Sequence, residues 1–346
     1  MLQIHHPGFT ACLILACLCP LSAQHAVAAE PESANRISFN TRFLFNVRTS
    51  FENLGGLPFQ TDPGPATAGT DHFYDDGYNR VDASGNEGGR TWFWGYDDSS
   101  QLPGNDTLVM TSTMASSNAT VRDEHDEPIF GFEFNYAREI RRIGSVRWGV
   151  EAGSGYGSLA FSARGQLTGD AVQISDAYAL NGVVPPAAPY RGSFEGPGVL
   201  IGDSPARTIS TLPGGTSTLG DWRLNARLYG LRLGPYIEVP CSDRIHCSIS
   251  AGAAFALVDS DFTFEEINSV PGQGSTTATG SDSQAGWLAG GYVAARVSVA
   301  LVDQLHGFAG LRYEHLGRFS QTANGRQAQI DLRDSLIGTL GISYAF

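Results

Sequence analysis

Lysine is absent from this 346-residue chain: all 22 basic residues are arginine, and 35 acidic residues set the formal net charge at −13. That balance excludes the basic footprint a nucleic-acid binder needs. Charge of either sign is scarce, 16% of residues, against about 25% in ordinary domains. Beyond the N-terminal segment there is no run of 18 or more uncharged apolar residues, so no helical membrane span is expected. A GxSxG elbow, an HExxH helix and a phosphate-binding P-loop are all missing. Cysteine is sparse, five in all, and three of the five (Cys12, Cys17, Cys19) fall in the first 19 residues. Glycine is plentiful instead, 42 residues, about 12% against a usual ~7%.

The N-terminus reads as an export signal covering residues 1–29. Phe9 to Leu21 form an apolar stretch too short to span a bilayer as a helix, and Ala26-Val27-Ala28-Ala29 supplies the small residues of a cleavage site. His5 and His6 stand where lysine or arginine is usual. Cleavage would leave Cys241 and Cys247 in PCSDRIHC. In an oxidising compartment these are expected to form a disulfide across a hairpin end. A metal reading needs more ligands than His246 supplies.

The mature chain, residues 30–346, alternates with a period of two. Successive strand side chains point to opposite faces, so this pattern marks strands between two unlike environments. One face of 37–47 carries Ile37, Phe39, Thr41, Phe43, Phe45 and Val47, the other Ser38, Asn40, Arg42, Leu44 and Asn46. Phe130, Phe132, Phe134 and Tyr136 alternate with Gly131, Glu133, Asn135 and Ala137. Val146, Trp148, Val150 and Ala152 alternate with Arg147, Gly149, Glu151 and Gly153. Trp222, Leu224, Ala226 and Leu228 oppose Arg223, Asn225 and Arg227, and the alternation then slips at Tyr229-Gly230, which predicts a bulge. Ile249–Leu257 and Trp287–Leu301 continue the pattern.

These strands are long for a soluble sheet, whose usual length is about 5–6 residues, and suit a transmembrane barrel with about 9–11 residues per crossing. Connections alternate between short (141–145, 242–246, 302–305) and long (163–221, 263–283, 321–332), the asymmetry of periplasmic turns and external loops. The fold class is therefore all-β, a transmembrane antiparallel β-barrel with apolar side chains outward. About ten strands are expected if 90–101 and 106–117 join the wall, and eight if they do not. Residues 50–89 and 163–220 are expected as long loops.

The last strand places Leu336, Gly338, Leu340, Ile342, Tyr344 and the final Phe346 on one face. This ending resembles the C-terminal signal of bacterial outer-membrane barrels, which implies Tyr344 and Phe346 as the signal read by the barrel-assembly machinery. FENLGGLPFQTDPGPATAG (51–69), FYDDGYNRVDASGNEGG (73–89) and TWFWGY (91–96) resemble exported outer-membrane barrel proteins of unknown role. That resemblance implies the bacterial outer membrane as the location and membrane lipid as the surroundings, but no substrate.

Arg42, Arg48, Arg147, Arg223, Arg227, Arg296, Arg312 and Arg333 fall on the expected lumen faces, with Glu133, Glu139, Glu151 and Glu314. Two readings follow. Arg–carboxylate forks fill a small barrel, or an arginine-rich wall lines a narrow anion pore. The Gly153, Gly155 and Gly157 spacing reads as lumen packing. Asp75, Asp76, Asp82 and Glu87 read as turn residues and not a calcium loop, and Asp123, Glu124, Asp126 and Glu127 as a solvated patch. His315, Ser320, Asp331 and Asp334 gather near one external end, the weak basis for a rim-located lipid or peptide hydrolase. The expected function is a structural or surface-interaction barrel, not an enzyme, with no cofactor, metal or nucleic acid.

Overall fold

The computed structural model describes residues 34–56, 69–81, 88–104, 106–115, 118–124, 128–270 and 274–346. The export signal lies outside these residues, as do Asp82, Glu87, Asp126 and Glu127.

Eight antiparallel strands close a ring: β1 (Asn35–Phe45), β2 (Ile129–Ile143), β3 (Val146–Ala179), β4 (Ala206–Pro240), β5 (Ile245–Val270), β6 (Gly274–Val302), β7 (Leu305–His315) and β8 (Ser335–Ala345). Each pairs with its neighbours in chain order, and β8 pairs back onto β1 through Arg36↔Ala345 to Phe45↔Leu336. Closure leaves no edge in the wall, the condition for a sheet to sit in lipid. The ring therefore holds the smaller of the two expected strand numbers. Thr107–Met114 is a strand, but it pairs with the far end of β3 (Val172↔Met114 to Ala179↔Thr107) and does not enter the ring. The 90–101 segment holds only the short strands Arg90–Thr91 and Trp94–Tyr96 and a 3-10 turn.

Both ends of the ring carry the expected asymmetry. Residues 144–145, 241–244 and 303–304 are tight connections beside the two chain ends, where the Phe346 amide donates to the Asn35 carbonyl at 2.8 Å. At the other end β3 and β4 run for 34 and 35 residues, roughly 110 Å of strand at ~3.3 Å per residue, far more than a bilayer requires. The stretches expected as loops at 163–220 and 263–283 are thus mostly paired strand. Their Ser, Thr and Gly content hides the alternation because water bathes much of both faces there.

The inner and outer faces exchange polarity along β4, and this is the main departure from expectation. From Thr216 to Glu238 the even-numbered residues point inward, with Trp222, Leu224, Ala226 and Leu228 buried together with Arg232, Tyr236 and Glu238. The pairing of β4 with β3 is continuous through Tyr229-Gly230, so no bulge is present there. What changes is the surroundings. From Tyr229 to Val239 the outward face is apolar (Leu231, Leu233, Ile237) and the inward face is charged. Above Tyr229 the outward face is Asp221, Arg223, Asn225 and Arg227, and the inward face is core. The strand leaves the membrane at Tyr229.

Beyond that level the wall divides. Asn46 (φ 59°) and Gly317 (φ 126°) turn the chain after β1 and β7, a backbone region that glycine adopts freely and asparagine tolerates. Arg48–Leu54, Ala119–Glu124, Arg318–Ala323 and Arg326–Asp331 then form a separate four-stranded sheet. Its apolar residues pack on the inner face of β4–β6: Phe51 stacks on Phe262 with ring centroids 5.8 Å apart, and Leu54, Phe319, Ile330 and Leu332 join Trp222, Val258 and Phe264. Val47, expected outside, belongs to this core at 1% exposure, because the turn at Asn46 reverses its direction.

A second core caps the far end of β3 and β4. Trp94, Tyr96, Leu108, Met110, Tyr178, Leu180 and Ile201 are buried under a small sheet of Thr70–Tyr74, Gly77–Val81, Trp94–Tyr96 and Tyr190–Arg191.

Candidate functional site

The lipid face confirms the orientation of the wall. Phe39, Phe132, Phe134, Leu233, Ile249, Val293, Leu340 and Ile342 are all exposed outward. An aromatic belt marks each boundary: Tyr156 contacts Phe132 and Tyr229, ring centroids 5.4 Å apart in each pair, with Trp287 exposed at the outer level. Tyr344 stacks on Phe346 at 6.4 Å at the inner level. Aromatic girdles bracketing an apolar band are the mark of an outer-membrane wall.

Inside, the charges expected from sequence meet, joined by residues that sequence reasoning misses. Glu133 of β2 accepts a two-point fork from Arg312 of β7 (3.1 and 2.6 Å) and a further bond from Arg232 of β4 at 3.2 Å. Arg232 also reaches Glu151 of β3 and donates to Asn135 at 2.5 Å. Glu151 accepts from Ser250 at 2.8 Å and from Tyr292 at 3.3 Å. Glu314 lies 2.7 Å from Arg312 Nε, and Asn135 donates to Asn40 at 2.9 Å. The side chains of Arg232, Arg312, Glu133 and Glu151 are 3–6% exposed. Toward the periplasmic mouth Arg36 bonds Glu238 at 2.6 Å, and Arg147 bridges Glu238 (3.5 Å) and Glu139 (4.0 Å). Such forks satisfy charge and geometry together.

Glycine makes room for this network. A Cβ at Gly153 would stand 2.4 Å from Asn135 Oδ1 and 2.7 Å from Arg232 Nε. One at Gly155 would stand 2.7 Å from an Arg42 terminal nitrogen. The Gly153–Gly155 spacing is therefore the imprint of two arginines crossing the lumen.

Arg42, Arg147, Arg296, Arg312, Glu133, Glu139, Glu151 and Glu314 lie on the inner face as expected. Arg223 and Arg227 do not: both are exposed on the outer surface above the membrane, paired with Asp221 at 2.7 Å and Asp259 at 3.3 Å. Arg48 and Arg333 are likewise outside the lumen. The reason is the polarity exchange along the strands. Tyr292, on the same face as Arg296, joins the network, and Arg232, Arg36 and Glu238 complete it as the residues sequence reasoning misses. For Arg232 the signal is present, since Leu231 and Leu233 flank it on the lipid face.

Charged and polar side chains pack much of the lumen; its cavities include two of about 20 Å³ and one of about 40 Å³, the last at the periplasmic mouth beside Arg36, Arg147, His246 and His306. Above them the apolar layer around Phe51, Phe262 and Trp222 covers the outer end. Trp222 itself donates to Glu266 at 2.9 Å, and Glu266 is held by Arg326 at 2.7 Å.

Cys241 and Cys247 are not disulfide-bonded. The hairpin register sets Cys247 opposite Val239, while the Cys241 amide donates to the Ile245 carbonyl. The two cysteines are thus diagonal rather than facing; diagonal neighbours sit about 7–8 Å apart, beyond the usual disulfide reach of ~4.4–6.8 Å between Cα atoms.

The external candidates resolve into structural roles. Asp76 accepts from the Thr111 amide (2.8 Å) and hydroxyl (2.7 Å), and Asp75 from the Thr113 amide (2.7 Å), so both cap a strand edge. Among the described residues no cluster of His, Cys, Asp and Glu suits a metal. Asp331 accepts from Arg333 (2.8 Å) and Arg318 (3.0 Å), Asp334 from Tyr313 (3.0 Å), and Ser320 from Gln329 (3.1 Å). Hydrogen bonds from Arg333 hold the Asp331 carboxyl well below the usual carboxylate range. The exposed His315 makes no hydrogen bond to Ser320, Asp331 or Asp334 among the described residues. In the distal cap Tyr74 donates to Asp176 at 2.6 Å, and Arg207 forks onto the same carboxylate at 2.8 Å. Burial pushes the phenols of Tyr74 and Tyr178 up.

No family model matches the chain, and no curated protein matches it. Solved structures similar to it include Ail, the attachment invasion locus protein of Yersinia pestis (11% identity, 91% of this chain and 99% of that one, TM-score 0.28). The outer membrane protease OmpT of Escherichia coli (10%, 92% and 99%, TM-score 0.31) and OprG of Pseudomonas aeruginosa (9%, 91% and 97%, TM-score 0.32) are others. At these identities and TM-scores the likeness transfers no activity. A closed eight-stranded ring with a lipid-facing apolar band, aromatic belts at both levels and a charged, packed interior is the architecture of an outer-membrane-type β-barrel.

Proposed function

We propose that this protein is a closed outer-membrane anchor holding a rigid β-structured platform at the cell surface, where the platform engages molecules outside the cell. The observation that carries the reading is the double seal of the lumen: an arginine–glutamate layer within the membrane and an apolar layer directly above it. A passive pore needs a continuous wet path, and the interior instead offers cavities of one or two waters each. The proportions support the same reading, since β3 to β6 are 26–35 residues long where about 9–11 would cross. At the far end Phe73, Val184 and Phe194 are exposed, and the Arg80 guanidinium sits over Phe194, 4.2 Å from the ring centroid. The reading assigns no catalytic role.

The test is conductance. Purified protein in planar bilayers is expected to give no discrete current steps. An epitope inserted at Val184 is expected to be reachable by antibody on intact cells. Reproducible steps that change when Arg312 is replaced would overturn the reading in favour of a pore.

A further inference from the structure

The central layer of the lumen carries an unbalanced charge. Arg42, Arg232, Arg296 and Arg312 stand there with Glu133, Glu151 and Glu314, four cations against three anions. Arg232 and Arg312 are ion-paired with the glutamates, each through its terminal nitrogens, and the buried Arg232 Nε keeps no hydrogen-bond partner among the described residues. Arg296 lies with its guanidinium over the Phe308 ring, 4.2 Å from the centroid. Arg42 is 6% exposed and hydrogen-bonds to no acceptor among the described residues. Its guanidinium crosses the barrel toward Gly155 and Gly230. It lines a cavity of about 20 Å³ together with Arg232, Arg312 and Ser335 and the carboxylates of Glu133 and Glu314, so three guanidinium groups face two carboxylates there. Gly153, Gly155 and Gly230 also border that space.

A buried guanidinium has five donors and no acceptor capacity, and leaving it without a hydrogen-bonded carboxylate of its own in a low-dielectric interior is costly. A cavity of this size holds one water or one ion little larger than water. Water would satisfy a donor but not the charge; a small monovalent anion does both. We propose that the cavity beside Arg42 is a halide-binding site, holding one chloride between the guanidinium groups of Arg42, Arg232 and Arg312. The ion is a structural counter-charge that completes the lumen seal, and the site goes beyond the anchoring role proposed above.

The test uses bromide as the probe. Crystals of the full-length protein grown in sodium bromide are expected to show an anomalous peak beside the Arg42 guanidinium. In detergent, thermal unfolding followed by heat-modifiable electrophoretic mobility is expected to shift up by roughly 2–4 °C when chloride replaces gluconate at equal ionic strength. Arg42→Met balances the layer, so the folded variant is expected to lose both the peak and the halide dependence. If that variant does not fold, the wild-type peak and shift decide alone. A cavity holding only water with no halide-dependent shift would overturn the proposal, as would bromide beside Arg296 instead.

Discussion

Replacing Glu133 by alanine is expected to be the most damaging single change in the lumen. Glu133 accepts two bonds from Arg312 and one from Arg232, and all three side chains are at most 5% exposed. Removing the carboxylate leaves two guanidinium groups sharing Glu151 and Glu314. Breaking a buried pair from one side costs about 3–5 kcal/mol, because the stranded charge stays buried. A surface pair offers the contrast. Asp259→Ala removes the carboxylate facing Arg227, whose side chain is 57% exposed, and exposed pairs are worth about 0–1 kcal/mol. Both variants would be measured by urea unfolding of the refolded barrel in lipid vesicles, read by tryptophan emission and by heat-modifiable mobility. The difference between them should be at least about 2 kcal/mol. A companion variant, Glu133→Leu with Arg312→Met, should recover much of the loss, since an apolar pair of similar volume often replaces a buried ion pair without penalty. If Glu133→Ala costs no more than Asp259→Ala, the lumen is wet and the network does not seal it.

Three further outcomes follow from the same geometry. Leu340→Arg, on the lipid face of β8, should cost roughly 2–4 kcal/mol near the midplane, whereas Asn225→Arg on the outward face of β4 above Tyr229 should be near neutral; equal costs in the same unfolding assay would misplace the membrane boundary. The Asp331 carboxyl is depressed in the folded chain by its bonds to Arg333 and Arg318, so its stabilising contribution is fully present above the usual carboxylate range and lost as pH falls below that range toward the depressed folded value. Asp331→Asn should therefore flatten the acid limb of the stability profile, and an unchanged limb would refute that assignment. Cys241 and Cys247 should both alkylate in unfolded, unreduced protein, and a disulfide-linked peptide in the mass spectrum would contradict the hairpin register.

The period-two alternation by itself determined the class of fold, the lipid-facing residues from Phe39 to Ile342, the end at which the short turns sit, and half of the charged interior. It could do so because lipid and lumen differ so strongly that side chains must alternate where a strand lies between them. The same rule carried to Trp222, Leu224 and Arg227 gave the wrong face, since alternation states that two sides differ and not which side is wet. Only the tertiary structure decided that. It showed the wall rising past Tyr229 into water, where the outside becomes polar and the inside becomes core, and it folded 48–54 and 318–331 inward to supply that core. Arg232 and Glu133 lie about a hundred residues apart in the chain, so which arginine meets which glutamate was set by ring closure and register, which no local pattern encodes.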